Sequence, residues 1–290
     1  MTRTVRSVLA AALGMMLCAV SASAARTVTD ELGRTMTVPD HPHRIVCLVP
    51  SITDDVYALG AGDDVIAVSD YTKYPAEARL KPSVGLPLSP SIETILALHP
   101  DLVLGSSDHN RIASVDRLQQ MGIPVFMVDP HGIAGIYKSL HTLGQALHRE
   151  EAAESLIHQL HQREQAVRLR VQGKPVVSIF MPIWYDPIVT IGEHAFISEL
   201  IDIAGGHSIT SDIHQEWPQV SLEAIIARRP EGLLLVRGAR MSLSDLTGRP
   251  GWDMLPAMKN HRFYYVDDRI DLPAPVAFDA LEELAAELHP

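Results

Sequence analysis

The chain is short of cysteine, of aromatic residues and of positive charge. Among 290 residues there are 2 cysteines, Cys18 and Cys47, and Phe, Trp and Tyr together make up 5%. Two cysteines so far apart provide neither a CxxC metal or redox motif nor a disulfide framework. Lys and Arg number 24 against 35 Asp and Glu, a formal charge of −11. That balance argues against the phosphates of nucleic acid, or an anionic membrane surface, as partner. Catalytic signatures are missing as well: there is no G-x-S-x-G elbow, no H-E-x-x-H and no phosphate loop. The fragment "GAGDDV" (60–65) precedes a strand pattern, whereas a dinucleotide motif follows one. Gly60 and Gly62 therefore read as a helix-ending turn. A nucleotide-dependent or hydrolytic enzyme is the remote alternative, and the expectation is that the chain is not an enzyme.

One long apolar run is present, and it lies at the start. Arg3 and Arg6 precede "SVLAAALGMMLCAV", which is followed by "SASA". A basic start, a short apolar core and an A-x-A site make residues 1–24 a signal peptide, with cleavage expected after Ala24. The run is too short for a membrane span. Met15-Met16-Leu17 lacks the small residue expected before a lipidated cysteine at Cys18. The expectation is an exported, soluble, periplasmic protein, monomeric, with Cys47 as its one cysteine. Loss of Arg3 and Arg6 leaves 22 basic residues against 35 acids, a formal charge of −13.

What remains alternates. "RIVCLVP" (44–50), "VIAVS" (65–69), "DLVLG" (101–105) and "VFMVD" (125–129) read as buried strands, each bounded by Gly, Pro, Ser or Asp. Between them "TDDVYALGAG", "SIETILALHP" and "IASVDRLQQMG" carry helical apolar spacing and end in Gly or Pro. From 133 to 173 the pattern is helical throughout, as one long helix or two joined near Arg149. Strands then return at 176–183, 232–238 and 263–268, with helices "AFISELIDIAGG", "SLEAIIARRP" and "VAFDALEELAAELH" among them. Strand–helix–strand alternation implies parallel, doubly wound sheets. The expected plan is an N-terminal α/β lobe (25–132), a linking helix (133–173) and a C-terminal α/β lobe (174–290).

One segment occurs twice. "SIETILALHP" (91–100) and "SLEAIIARRP" (221–230) share Ser91/Ser221, Glu93/Glu223, Ile95/Ile225, Ala97/Ala227 and Pro100/Pro230. A serine at such a start caps the helix, and an acid in the first turn faces its positive end.

The stretch "HRIVCLVPSITDDVYALGAGDDVIAVSDYTKYPAEA" resembles the N-terminal lobe of periplasmic substrate-binding proteins of ABC importers. The resemblance is to the class with a rigid helix between its lobes (class III), which serves vitamin B12, iron–siderophore complexes and haem. "EWPQVSLEAIIARRPEGLLLV" is similar to the vitamin B12-binding branch of that class, as is "SDYTKYPAEA". The resemblance implies a cobalamin or related corrinoid as ligand, with no cofactor. It also implies delivery to a membrane permease and its ATPase, with Glu93 and Glu223 docking into arginine pockets. A carboxylate pairs bidentately with arginine, and two such pairs fix orientation.

A corrinoid is large, flat-faced and amphipathic, so it calls for aromatic walls. Trp217, in the polar loop "DIHQEWPQ", is one candidate, and Tyr71 matches a ligand-facing tyrosine of the branch. Trp184, Tyr185, Asp268 and Arg269 follow strand ends and are further candidates; Tyr74, before Pro75, reads as structural. The branch carries another tryptophan in its first lobe, where this chain reads "GLPLSPS" (85–91), with Leu86 and Pro87 near the place, and "SSDHNR" (106–111). That departure brings precursors such as cobinamide into play. The near alternatives are haem, with Tyr71 as an axial ligand, and a ferric siderophore, for which Arg237, Arg240 and Arg269 are the few basic candidates. His41, His43, His158, His161, His207 and His214 are scattered, so no metal site is expected.

Overall fold

The structure is a computed structural model that describes residues 25–239 and 241–290. The signal segment 1–24, with Arg3, Arg6 and Cys18, and the siderophore candidate Arg240 lie outside the described residues.

The chain opens with a hairpin that the alternation did not announce, β1 (Ala25–Thr29) antiparallel to β2 (Thr35–Pro39). Then come β3 (Ile45–Cys47), α1 (Pro50–Ala58), β4 (Val65–Val68), the two-residue strands β5 (Gly85–Leu86) and β6 (Ser89–Pro90), and α2 (Ile92–Ala97). β7 (Leu102–Ser106), α3 (Ile112–Gln120) and β8 (Val125–Val128) complete the first lobe. Its sheet is parallel in the order β4-β3-β7-β8. All residues of β3, β7 and β8 are buried, as strands covered on both faces require. The hairpin turn seals the β8 edge: Glu31 N donates to Met127 O at 3.1 Å, and Asp129 N donates to Glu31 Oε2 at 2.8 Å.

The linker takes the second of its two expected forms. α4 (Gly132–Leu147) and α5 (Glu150–Val171) are separate helices, broken at His148, whose φ of 55° is left-handed. They fold back as an antiparallel pair. Tyr137 donates to Glu164 at 2.8 Å, and His141 pairs with Glu154 at 2.6 Å. Gly144 permits this close approach, because a Cβ there would lie 2.6 Å from that of Ala153. α4 packs on α1 and β8 of the first lobe.

The second lobe repeats the first. β9 (Val177–Phe180), the hairpin β10 (Pro182–Tyr185) and β11 (Ile188–Thr190), α6 (Phe196–Ile203) and β12 (Gly206–Ser208) lead to α7 (Leu222–Arg228). β13 (Gly232–Val236), α8 (Leu243–Leu246), α9 (Pro256–Lys259), β14 (Phe263–Val266) and α10 (Ala277–Leu288) follow. The sheet is parallel, in the order β12-β9-β13-β14. Both lobes thus start on an inner strand, step to the edge, and cross back. α5 packs on α10 and α6 of this lobe.

A single buried apolar cluster joins the two halves. It runs from Ile45, Leu102 and Phe126 through Ile136, Leu140 and Leu160 to Ile201, Phe278 and Leu281. Shearing the lobes apart would expose side chains worth about 1.5–3 kcal/mol each. Two separate clusters fill the outer layers of the lobes.

α2 and α7, the twin segments, are the crossover helices that lead into β7 and β13. Ser91 Oγ accepts from Thr94 N at 3.3 Å, and Ser221 Oγ accepts from Ala224 N at 3.2 Å. The two serines and the four residues after each show the same order of exposure, ending on buried Ile95 and Ile225.

Candidate functional site

In each sheet the winding reverses beside its first strand, between β3 and β7 and between β9 and β13. Ligands of open α/β sheets settle beyond the carboxyl ends of strands at such points. Two adjoining cavities lie there between the lobes, of about 340 and 360 Å³. His109, Asp271 and Pro273 line both, so they form one cleft.

The first cavity is floored by Val49, Pro50 and Ser51, where β3 runs into α1. Tyr71, Lys73 and Tyr74 form its first-lobe wall, and Asp268, Asp271 and Leu272 face them. Tyr71 is 71% exposed and has a φ of 67°. A tyrosine held in left-handed backbone costs on the order of 1 kcal/mol, and here the strain aims an aromatic ring into the cleft. Across the rim, Tyr74 Oη donates to Asp268 Oδ1 at 2.6 Å, and the Lys73 ammonium pairs with the other oxygen of the same carboxylate. Burial, then the Asp268 carboxylate, push the Tyr74 hydroxyl up. Tyr74, which the sequence marks as structural, is therefore an interlobe contact in the cavity wall.

The second cavity is lined by Asp108, His109 and His131 from the first lobe and by His194, Glu216 and Trp217 from the other. Trp217 is 44% exposed, on a loop that also supplies backbone to β11: Thr190 N donates to Pro218 O at 3.1 Å. His131 stands between Asp108 (3.3 Å) and Asp129 (3.1 Å). These three gather their ligand atoms closely, as do Glu193, His194 and His214, and Asp40, His41 and His148. In each group two residues are near neighbours in the sequence, and folding brings in the third. Of the remaining histidines, His161 packs on Tyr137 with tilted rings 3.9 Å apart between centroids, and His43 pairs with Asp64 at 2.9 Å.

Of the six ligand candidates, Tyr71, Trp217 and Asp268 line the cleft. Three do not. Trp184 and Tyr185 lie on the β10–β11 hairpin that follows β9, stacked on each other at 5.1 Å. Trp184 Nε1 donates to Asp186 O, and the Arg249 guanidinium covers the Tyr185 ring at 3.8 Å. Arg269 turns away from the cleft to Asp267 (2.6 Å) and Asp279 (2.9 Å). Strand ends alone could not reveal this, because the direction of each loop depends on its packing. Sequence reading missed Lys73, His109, His131, Glu216 and Asp271. The single signal was that "SSDHNR" follows a strand.

Glu93 and Glu223 are both exposed, and neither is in an ion pair among the described residues. Each stands six positions after a cleft-lining residue, Pro87 and Trp217 respectively. The backbone N–H of Glu223 itself, then Ser221, hold its carboxyl below the usual range.

Two lobes of like topology, locked by a helical hairpin and enclosing a cleft at their strand switch points, define a binding protein of the bilobal periplasmic kind. The chain belongs to the periplasmic binding protein family, whose model matches residues 45–270. An uncharacterised ABC transporter substrate-binding lipoprotein of Bacillus subtilis (strain 168) is 30% identical over 91% of this chain and 85% of its own. The vitamin B12-binding protein of Yersinia pestis (strain Pestoides F) is 33% identical over 70% of this chain and 72% of its own. The periplasmic heme-binding protein of Roseiflexus sp. RS-1, solved in its apo form, superposes with a TM-score of 0.76 at 25% identity. That match covers 85% of this chain and 98% of the other. These relatives are substrate-binding proteins, and no helix among the described residues is long and apolar enough to cross a membrane.

Proposed function

We propose that this protein captures cobalamin or a related corrinoid between its lobes, in the periplasm, and delivers it to the permease and ATPase of an ABC importer. The observation that carries the reading is the charge and character of the cleft lining. Tyr71 and Trp217 offer exposed aromatic faces, whereas Lys73 is the only Lys or Arg among the described lining residues and is already paired with Asp268. Asp108, Glu216 and Asp271 add further acid. A corrinoid presents flat faces to the aromatic walls and a rim of amides whose N–H groups can donate to such carboxylates. Haem carries two carboxylates and many ferric siderophores are anionic, so both would face carboxylates where the one Lys or Arg of the described lining is already paired. Haem is the second reading because Tyr71 is exposed in the cleft and could supply an axial oxygen.

Glu93 and Glu223 serve as docking carboxylates in this reading. They are exposed, without an ion pair among the described residues, and close in sequence to the cleft rim on each lobe. The continuous core through the helical hairpin favours modest closure on binding. Calorimetric titration with cyanocobalamin, cobinamide, haemin and a ferric hydroxamate tests the assignment. Corrinoid binding at one site per chain is expected, and binding of haemin alone would overturn it.

A further inference from the structure

His109 occupies a position no other imidazole shares: it lines both cavities, at the middle of the cleft. Its loop is pinned. Asn110, itself buried, accepts from Ser106 N and donates to Pro87 O, each at 2.8 Å. The His109 ring is exposed and makes no side-chain hydrogen bond or ion pair among the described residues. His131 by contrast is held by Asp108 and Asp129. Asp271 from the opposite lobe is the carboxylate that lines both cavities with His109. A neutral imidazole whose second nitrogen faces a carboxylate is the usual arrangement of a metal-binding histidine.

Resting on the corrinoid reading of the cleft, we infer that His109 is an axial ligand to the bound cobalt. The ring nitrogen places its lone pair on cobalt as the bond from cobalt to a water molecule breaks and that water leaves. No electron is gained or lost. In the complex Asp271, which lines both cavities with His109, is the carboxylate placed to take the N–H of the other ring nitrogen and orient the ring. The ligand class narrows accordingly, to corrinoids with an exchangeable axial water and against those whose axial positions are filled by cyanide, carbon or a tethered base. A water-liganded cobalt(III) corrinoid is cationic, which suits a cleft lined by Asp108, Glu216 and Asp271.

The test uses the whole exported chain and diaquocobinamide as probe. Binding is measured by calorimetry, and the complex is then reduced to cobalt(II) for electron paramagnetic resonance. One nitrogen ligand splits each high-field line into three, and into two in protein made with ¹⁵N-histidine. His109→Ala is expected to bind at least about tenfold more weakly and to give unsplit lines. Asp271→Asn is expected to weaken binding by about tenfold, the low end for loss of a group supporting a ligand. Wild-type protein that binds the probe with unsplit lines overturns the inference and leaves the corrinoid reading standing, as does splitting that survives in His109→Ala. Failure to bind either cobinamide or cyanocobalamin removes the corrinoid reading itself. The isotope experiment needs no variant, so it decides the matter even if a substitution disturbs folding.

Discussion

Tyr74 of the first lobe donates its phenolic hydrogen to Asp268 of the second at 2.6 Å, across the cleft between the lobes. With the Lys73 ion pair it forms an interlobe clasp in the wall of the first cavity. Both partners are half-buried, so the hydrogen bond is worth about 1 kcal/mol. Tyr74→Phe removes it and leaves the ring in place. Association and dissociation of the ligand should both accelerate, by about fivefold, with little change in affinity. Stopped-flow rates equal to those of the wild type would show that the clasp does not gate the cleft.

Trp217 has little core to lose. It is 44% exposed, whereas Trp252 is 3% exposed and packs against Phe180. Trp217→Ala should therefore leave the unfolding free energy within about 0.5 kcal/mol of wild type. Ligand affinity should fall by about 1–3 kcal/mol, as for other buried aromatic anchors. Calorimetry checks the second figure and urea unfolding the first. Unchanged affinity would remove Trp217 from the ligand wall.

Asp54 and Asp55 are buried side by side on α1, and Asp54 Oδ2 accepts from Val276 N of the second lobe at 3.0 Å. Burial pushes the Asp54 carboxyl up to about 6, against the lowering effect of the Val276 hydrogen bond and with help from Asp279. Burial, then Asp54 and Glu31, push Asp55 up as well. A carboxyl that holds its proton more tightly when folded stabilises the fold below its unfolded value near 3.8. That stabilisation is lost as pH rises through about 6, since the folded state then releases a proton the unfolded chain had already given up. Between about pH 4 and 6 the loss from Asp54 is of order 2–3 kcal/mol, at about 1.4 kcal/mol per pH unit. Asp54→Asn keeps an acceptor for Val276 and removes the charge. The variant should melt higher than wild type at pH 7.5, with the gap closing toward pH 4. An equal gap at both values would show that Asp54 is not the group responsible.

The fold was legible where hydrophobic period and punctuation coincide. β3, β7 and β8 are apolar runs closed by Ser, Pro or Asp, and the twin caps at Ser91 and Ser221 mark equivalent crossover helices. The hairpin Ala25–Pro39 was not legible, because its strands alternate weakly and are set by contacts with distant β8. The same limit applies to the cleft. Tyr71 and Trp217 stand out as aromatics in polar loops, whereas Lys73, His109 and Asp271 have no local pattern and converge only when the lobes pack. Trp184 and Tyr185 are the converse case, aromatic residues after a strand whose hairpin carries them onto each other and onto Arg249.

Glu93 and Glu223 can be read in two ways that experiment separates. As first-turn acids beneath Ser91 and Ser221, each is worth about 0.3–1 kcal/mol to its own helix. As docking groups they would pair with arginines of a permease, where charge-assisted bonds contribute about 1.5–3 kcal/mol each. Reversal of both, Glu93→Lys with Glu223→Lys, turns that attraction into repulsion while the serine caps stay in place. Corrinoid affinity by calorimetry should stay within about twofold of wild type, because neither residue lines the cleft. Uptake into vesicles holding the permease and its ATPase should be abolished, and each single reversal should leave a partial rate. A lowered melting temperature with uptake intact would assign the two acids to helix starts alone. A large loss of affinity would show instead that the cleft and the docking surface are one.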